Sequence, residues 1–145
     1  MEICGSAKNP IWKIERVVRV KLTPERIEEL AYEIKEFLIK HEMWIDVRIY
    51  FNGKALSTDD GNSNYAYNDP NVDYIIEDVK PNDYFEYVGD NILCMSFEGP
   101  FYELLNGYTP YSYYDQIEGE FRNILSKYGL YYELGHPWNL SVAIG

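Results

Sequence analysis

The sequence predicts an α+β domain: an antiparallel sheet with helices packed on one face. Three observations carry this. Short segments alternate apolar and polar residues, two longer segments carry an apolar stripe at helical spacing, and tight turn signals join strand-like neighbours. Strands that return through tight turns pair antiparallel, and amphipathic helices must bury their stripes against something.

Residues 11–22 end in alternation, with Val18, Val20 and Leu22 on one side and Arg19 and Lys21 on the other, which predicts a strand. Thr23 then supplies an N-cap and Pro24 a first helical residue. The helix runs to about His41, with Ile27, Leu30, Ala31, Ile34, Phe37 and Leu38 along its apolar stripe. Residues 44–51 alternate again: Ile45, Val47, Ile49 and Phe51 face one way, Asp46 and Arg48 the other. Asn52-Gly53 suits a type I′ hairpin, whose central residues both need positive φ, so residues 54–58 form the return strand. A long acidic loop, read as mobile, fills 58–73. Pro81 opens a short helix through Asp83 and Phe85, and Ile92 to Phe97 reads as a buried strand holding Cys94. Gly99-Pro100 starts a short helix closed by Asn106-Gly107. Ser112 and Asp115 have capping-box spacing ahead of a helix with Ile117, Phe121, Ile124, Leu125 and Tyr128 on one stripe and Gly129 beyond its end. Strands over 130–134 and 138–144 flank the turn Gly135-His136-Pro137.

The 145 residues fit one domain, with no internal repeat and no linker; residues 1–10 are read as flexible. No apolar run reaches the roughly 18 residues of a membrane span, and the start lacks the pattern of a secretory signal. Cys4 and Cys94 form no C-x-x-C motif and are read as free thiols, so the expected location is cytoplasmic.

Charge is distributed unevenly. Residues 1–54 hold 10 Lys/Arg against 9 Asp/Glu, whereas residues 55–145 hold 3 against 15, together with thirteen of the fifteen tyrosines. A net charge of −11 repels nucleic acid and anionic membranes and favours basic partners. Direct nucleic-acid binding is not expected.

The stretch T-D-D-G-N-S-N-Y-A-Y-N-D-P-N (58–71) invites a metal reading, since Asp60, Asn62 and Asn64 match positions 1, 3 and 5 of a calcium loop. Tyr65 stands where that loop needs Gly and Asn71 where it needs Glu, so neither metal nor cofactor is expected. No nucleophile elbow, P-loop or dinucleotide fingerprint occurs. His41 falls where a helix should end and His136 in a turn; Glu98 and Glu103 make an unspecific carboxylate pair. No catalytic residue is expected. Tyrosine gives large contact area at low entropic cost, and here it is interleaved with acids. The expected partner-binding residues are Asp59, Asp60, Tyr65, Tyr67, Asp69, Asp73, Tyr74, Asp83, Tyr84, Glu86 and Tyr87, facing a basic protein surface. A homodimer through an exposed strand edge is a further expectation to test.

The stretches N-D-Y-F-E-Y-V-G-D-N-I-L-C-M-S-F-E-G-P-F-Y-E-L-L-N (82–106) and K-Y-G-L-Y-Y-E-L-G-H-P-W-N-L-S (127–141) resemble small acidic proteins of unassigned function carried by bacterial conjugative elements and phages. The resemblance implies a bacterial, cytoplasmic accessory protein. Among such accessories, one recurring solution is an acidic protein that imitates nucleic acid and occupies the basic groove of a restriction or CRISPR nuclease. The alternative is a small enzyme or ligand-binding domain, with a tyrosine-lined pocket between sheet and helices and Glu98 or His136 at its mouth.

Overall fold

The computed structural model describes residues 22–79, 92–108 and 110–145. The strand expected over 11–22 (apart from Leu22), the short helix at Pro81, Cys4, and the partner-binding residues Asp83, Tyr84, Glu86 and Tyr87 lie outside the described residues.

Helix α1 (Pro24–Lys40) starts as its sequence requires: Thr23 is extended, and its hydroxyl accepts the Arg26 amide at 3.2 Å. Strand β1 (Val47–Phe51) turns into β2 (Lys54–Ser57) through Asn52 and Gly53, whose φ values of 51° and 77° are the two positive angles of a type I′ hairpin. Then follow β3 (Tyr74–Ile76), β4 (Leu93–Phe97), the short α2 (Pro100–Leu105), α3 (Tyr111–Lys127), β5 (Leu130–Leu134) and β6 (Asn139–Ile144). The six strands form one antiparallel sheet in the order β3-β2-β1-β4-β6-β5. Helices α1 and α3 contact β1 and β5 respectively and pack on each other, so the helices share one face of the sheet.

Three details depart from the sequence reading. The first strand begins at Val47 rather than residue 44, because Asp46 takes φ 57° and breaks the extended run. Helix α3 begins at Tyr111 behind Pro110, which places Ser112 inside its first turn, so the helix has no capping-box start there. Strand β3 was not anticipated. Its three residues show no alternation, and they are extended because they pair with Ala55, Leu56 and Ser57.

Alternation along the strands decides what each face carries. Val47, Ile49, Phe51, Leu56, Leu93, Met95, Phe97, Leu140 and Val142 point at the helices and join Leu30, Ile34, Phe37, Leu38, Phe121 and Leu125 in the main core. The opposite face holds Arg48, Tyr50, Ala55, Ser57, Cys94 and Ser96. Tyr50, Ala55, Cys94 and Val79 make a small second cluster there, with Ile76 and Trp138 against it. Cys94 is buried, with its sulfur 3.8 Å from the Ser141 hydroxyl.

The 58–73 stretch is a loop as expected, but it is pinned. Val47 donates its amide to the Thr58 hydroxyl (3.0 Å), Ala66 donates to the Thr58 carbonyl (2.7 Å), and Asp59 bridges Tyr65. Farther along, the Asn68 side chain accepts from the Trp44 amide (3.1 Å) and donates to the Ile39 carbonyl (3.2 Å). The end of the loop is held by Lys35, whose buried ammonium donates to Asp73 and to the Val72 carbonyl (3.1 Å), 5.9 Å from the Trp44 ring. Asp73→Ala would leave that ammonium without its counter-charge, whereas Lys35→Met would leave a half-exposed, hydrated carboxylate. Urea denaturation should show a loss of about 2 kcal/mol for Asp73→Ala and a smaller loss for Lys35→Met.

Candidate functional site

The face of the sheet turned away from the helices carries the most chemically varied cavity, of about 370 Å³. It forms at the ends of β1, β2 and β4, where the register sets Arg48 between Ser57 and Ser96. Two positions along from Arg48 and Ser96, just past the Val47–Phe97 pair, lie Asp46 and Glu98, and the Glu98 amide donates to the Asp46 carbonyl at 3.1 Å. On the other side, Asp59 follows the end of β2. Among the described residues, Asp46, Asp59 and Glu98 line this cavity together with Arg48.

That guanidinium is already committed. Arg48 donates through Nε (3.0 Å) and Nη2 (2.8 Å) to the two oxygens of Asp59, which also accept from the Ser57 hydroxyl (2.5 Å) and the Gly61 amide (3.1 Å). The Arg48 hydrogen bonds hold the Asp59 carboxyl below the usual range, and Asp59 in turn raises Arg48. Asp46 and Glu98 have no lysine or arginine partner among the described residues, and both are exposed. Tyr50, Tyr65 and Trp138 complete the cavity wall. Trp138 stacks on His136 (ring centres 5.4 Å apart, planes 8° apart) and with Glu98 and Tyr102 lines a neighbouring cavity of about 360 Å³.

The segment carrying Asp46 is held close to the start of α2. A Cβ on Gly99 would lie 2.7 Å from the Ile45 carbonyl oxygen, a backbone atom that cannot swing aside. Gly99→Ala should cost about 2 kcal/mol in denaturant melts and shift the amide resonances of Asp46 and Glu98. A variant that is as stable as the parent and leaves those resonances in place would show that this close approach is unimportant.

The expected partner-binding residues divide into two groups. Asp59 and Asp73 are spent on Arg48 and Lys35 and do not offer free charge. Asp60 is partly exposed on its loop, but its carboxylate accepts the Asn62 amide (2.7 Å) and the Asn64 amide (3.1 Å) and side chain (2.6 Å). The residues that mimic calcium-loop positions thus satisfy one another in an Asx turn. Asp69 likewise accepts the Asn71 amide (2.9 Å). Tyr65 and Tyr67 are 54% and 69% exposed and stack 6.5 Å apart, and Tyr74 sits half-buried on β3, the outermost strand on its side among the described residues. Of the expected set, Asp59 and Tyr65 meet at the cavity.

Sequence reading did not single out Asp46, which lines the cavity with Glu98. Glu98 lies beside Asp46 across the sheet, and Glu103 is exposed on α2. Glu98 rims the cavity on the sheet face and, with Tyr102 and Trp138, the neighbouring one. His41 caps α1, with Nε2 3.0 Å from a Glu120 oxygen and its ring edge-on to Phe37. No protein-family model, curated protein or solved structure matches the chain.

Proposed function

We propose that the protein is a non-enzymatic binding protein whose acidic, tyrosine-bearing surface docks onto a basic protein. One observation carries the reading. Every lysine and arginine among the described residues has a carboxylate partner, so the charge left unpaired among these residues is negative. Asp46, Glu77, Asp78, Glu98 and Glu133 are exposed and outside those pairs; Glu98 shares a cavity lining with Tyr65, and Glu133 lies two residues from exposed Tyr131. Potentials of this kind steer basic partners and weaken with salt. In its sharpest form, the protein imitates nucleic acid and fills the basic cleft of a host-defence nuclease of the restriction or CRISPR type.

The test is capture from bacterial lysate followed by affinity measurement with the purified partner across a salt series. Glu77→Lys, Asp78→Asn and Glu133→Lys together remove or reverse charge without touching Asp59 or Asp73, which hold the fold, and asparagine tolerates the left-handed backbone at 78 (φ 56°). A basic partner should be released at moderate salt, be displaced by duplex DNA, and bind the triple variant at least about tenfold more weakly. A neutral partner, or binding indifferent to salt, would refute the proposal.

A further inference from the structure

We propose that two copies of the chain pair through β5, antiparallel about a two-fold axis at Tyr132, so that the sheet continues from one copy into the other. The proposal is independent of the basic-partner reading. Strand β5 is the outermost strand on its side among the described residues, and its ladder to β6 fixes which backbone groups it leaves over. Gly145 donates its amide to the Gly129 carbonyl (3.0 Å), and Gly135 donates to the Asn139 carbonyl (3.1 Å). Hydrogen bonding alternates along an antiparallel ladder, so Gly129, Tyr131, Glu133 and Gly135 turn their amides and carbonyls towards β6. Leu130, Tyr132 and Leu134 turn theirs outward, where no described residue meets them. Such an edge is a template for one more strand.

The edge is complementary to itself in one register. With Tyr132 opposite its own copy, Leu130 lies opposite Leu134 of the copy, and every outward amide meets an outward carbonyl. On the helix face this register lays Ile144 and Leu130 of one chain beside Leu134 and Leu140 of the other in a single apolar row. Leu134 is 43% exposed and Ile144 65% exposed in the single chain, and pairing gives Leu134 an apolar neighbour on its open side. On the other face Glu133 lies opposite Tyr131 of the copy. A register centred on Glu133 would instead set the two carboxylates against each other, which disfavours it. Charge also decides between the two ends of the sheet. At the opposite end, a pair centred on Ile75 of β3 would set Asp73 against Glu77 of the copy.

The test is sedimentation velocity on the full chain through a dilution series at low and high salt. A dimer should form and should tighten with salt, because screening weakens the repulsion between chains of net charge −11. Docking to a basic protein weakens with salt, so the two readings fail separately. Leu134→Pro removes one outward amide from each chain and keeps the bonds to β6, and it should weaken the dimer at least about tenfold. Leu134→Lys places a charge in the apolar row and should do the same, which decides the matter if the proline variant is poorly folded. Tyr131→Lys sets an ammonium opposite Glu133 of the copy and should leave the dimer as tight as the parent or tighter. Exchange of the Leu130, Tyr132 and Leu134 amides should slow by about tenfold from dilute to concentrated protein. A chain that stays monomeric throughout the series at high salt overturns the proposal. So does a dimer that Leu134→Lys leaves intact, or one that Tyr131→Lys disrupts as much as Leu134→Lys does.

Discussion

Phe121→Ala should destabilise the protein by about 4 kcal/mol and lower its Tm by on the order of 15 °C, the largest stability effect expected of a single substitution here. The Phe121 ring is fully buried, with centres of Phe37, Phe101 and Tyr132 at 5.6, 5.3 and 5.2 Å. It touches α1, α2 and β5 from α3, so its removal opens a cavity that no one neighbour can fill, and aromatic edge-to-face contacts are lost with the buried area. Phe121→Leu should recover more than half of the loss. As a contrast, Tyr113→Ala on the same helix removes a ring that is 61% exposed and should change stability by less than about 0.5 kcal/mol. Calorimetry on the three variants decides. A Phe121→Ala protein that melts within a few degrees of the parent would mean that the layer between helices and sheet is not packed as described.

Asp59→Ala should cost about 2 to 3 kcal/mol and change how stability depends on pH. The substitution strands the partly buried Arg48 guanidinium and frees the Gly61 amide, so the loop start at 58–61 loses its anchor. The sign of the pH effect follows from the depressed carboxyl. Asp59 binds its proton less readily in the folded chain than in the unfolded one, so its stabilising contribution is fully present above the ordinary carboxylate range near pH 4. That contribution is lost as pH falls through the folded value, because the unfolded chain takes up the proton first. Glu33 follows the same rule: burial opposes the shift, but hydrogen bonds from Lys127 and Tyr128 outweigh it and lower the carboxyl. Urea melts between pH 7 and pH 2 should therefore show the parent losing stability in acid more steeply than Asp59→Asn. Parallel curves would show that the Arg48–Asp59 pair contributes nothing to acid sensitivity.

These expectations also bear on how the surface is tested. Reversing Asp59 and Asp73 would break the contacts to Arg48 and Lys35, and lost binding would then report lost structure. Glu77, Asp78 and Glu133 hold no such partner among the described residues, and a binding defect in their variants reads as a defect of the surface.

The elements legible in the sequence are those whose signals are local. Thr23-Pro24 starts a helix wherever it precedes an apolar stripe, because the cap and the fixed proline φ act within one turn. Asn52-Gly53 makes a two-residue hairpin because both residues accept positive φ. The excess of acid over base is likewise a property of the composition. Other features had no local signal. Strand β3 exists only through its pairing with β2, and Asp46 leaves the extended region although the residues on both sides alternate. Which acids are spent and which are free depended on partners 11 residues away for Asp59 and 38 for Asp73. The meeting of Asp46 with Glu98 depended on β1 pairing with β4 across 50 positions of chain, a choice set by burial of both apolar faces against α1 and α3. Thus the sequence alone determined the helices, the tight turn and the sign of the surface. Only the tertiary structure decided which charges remained on that surface and where they gathered, because ion pairs and strand register are contacts between residues that nothing short of the whole fold brings together.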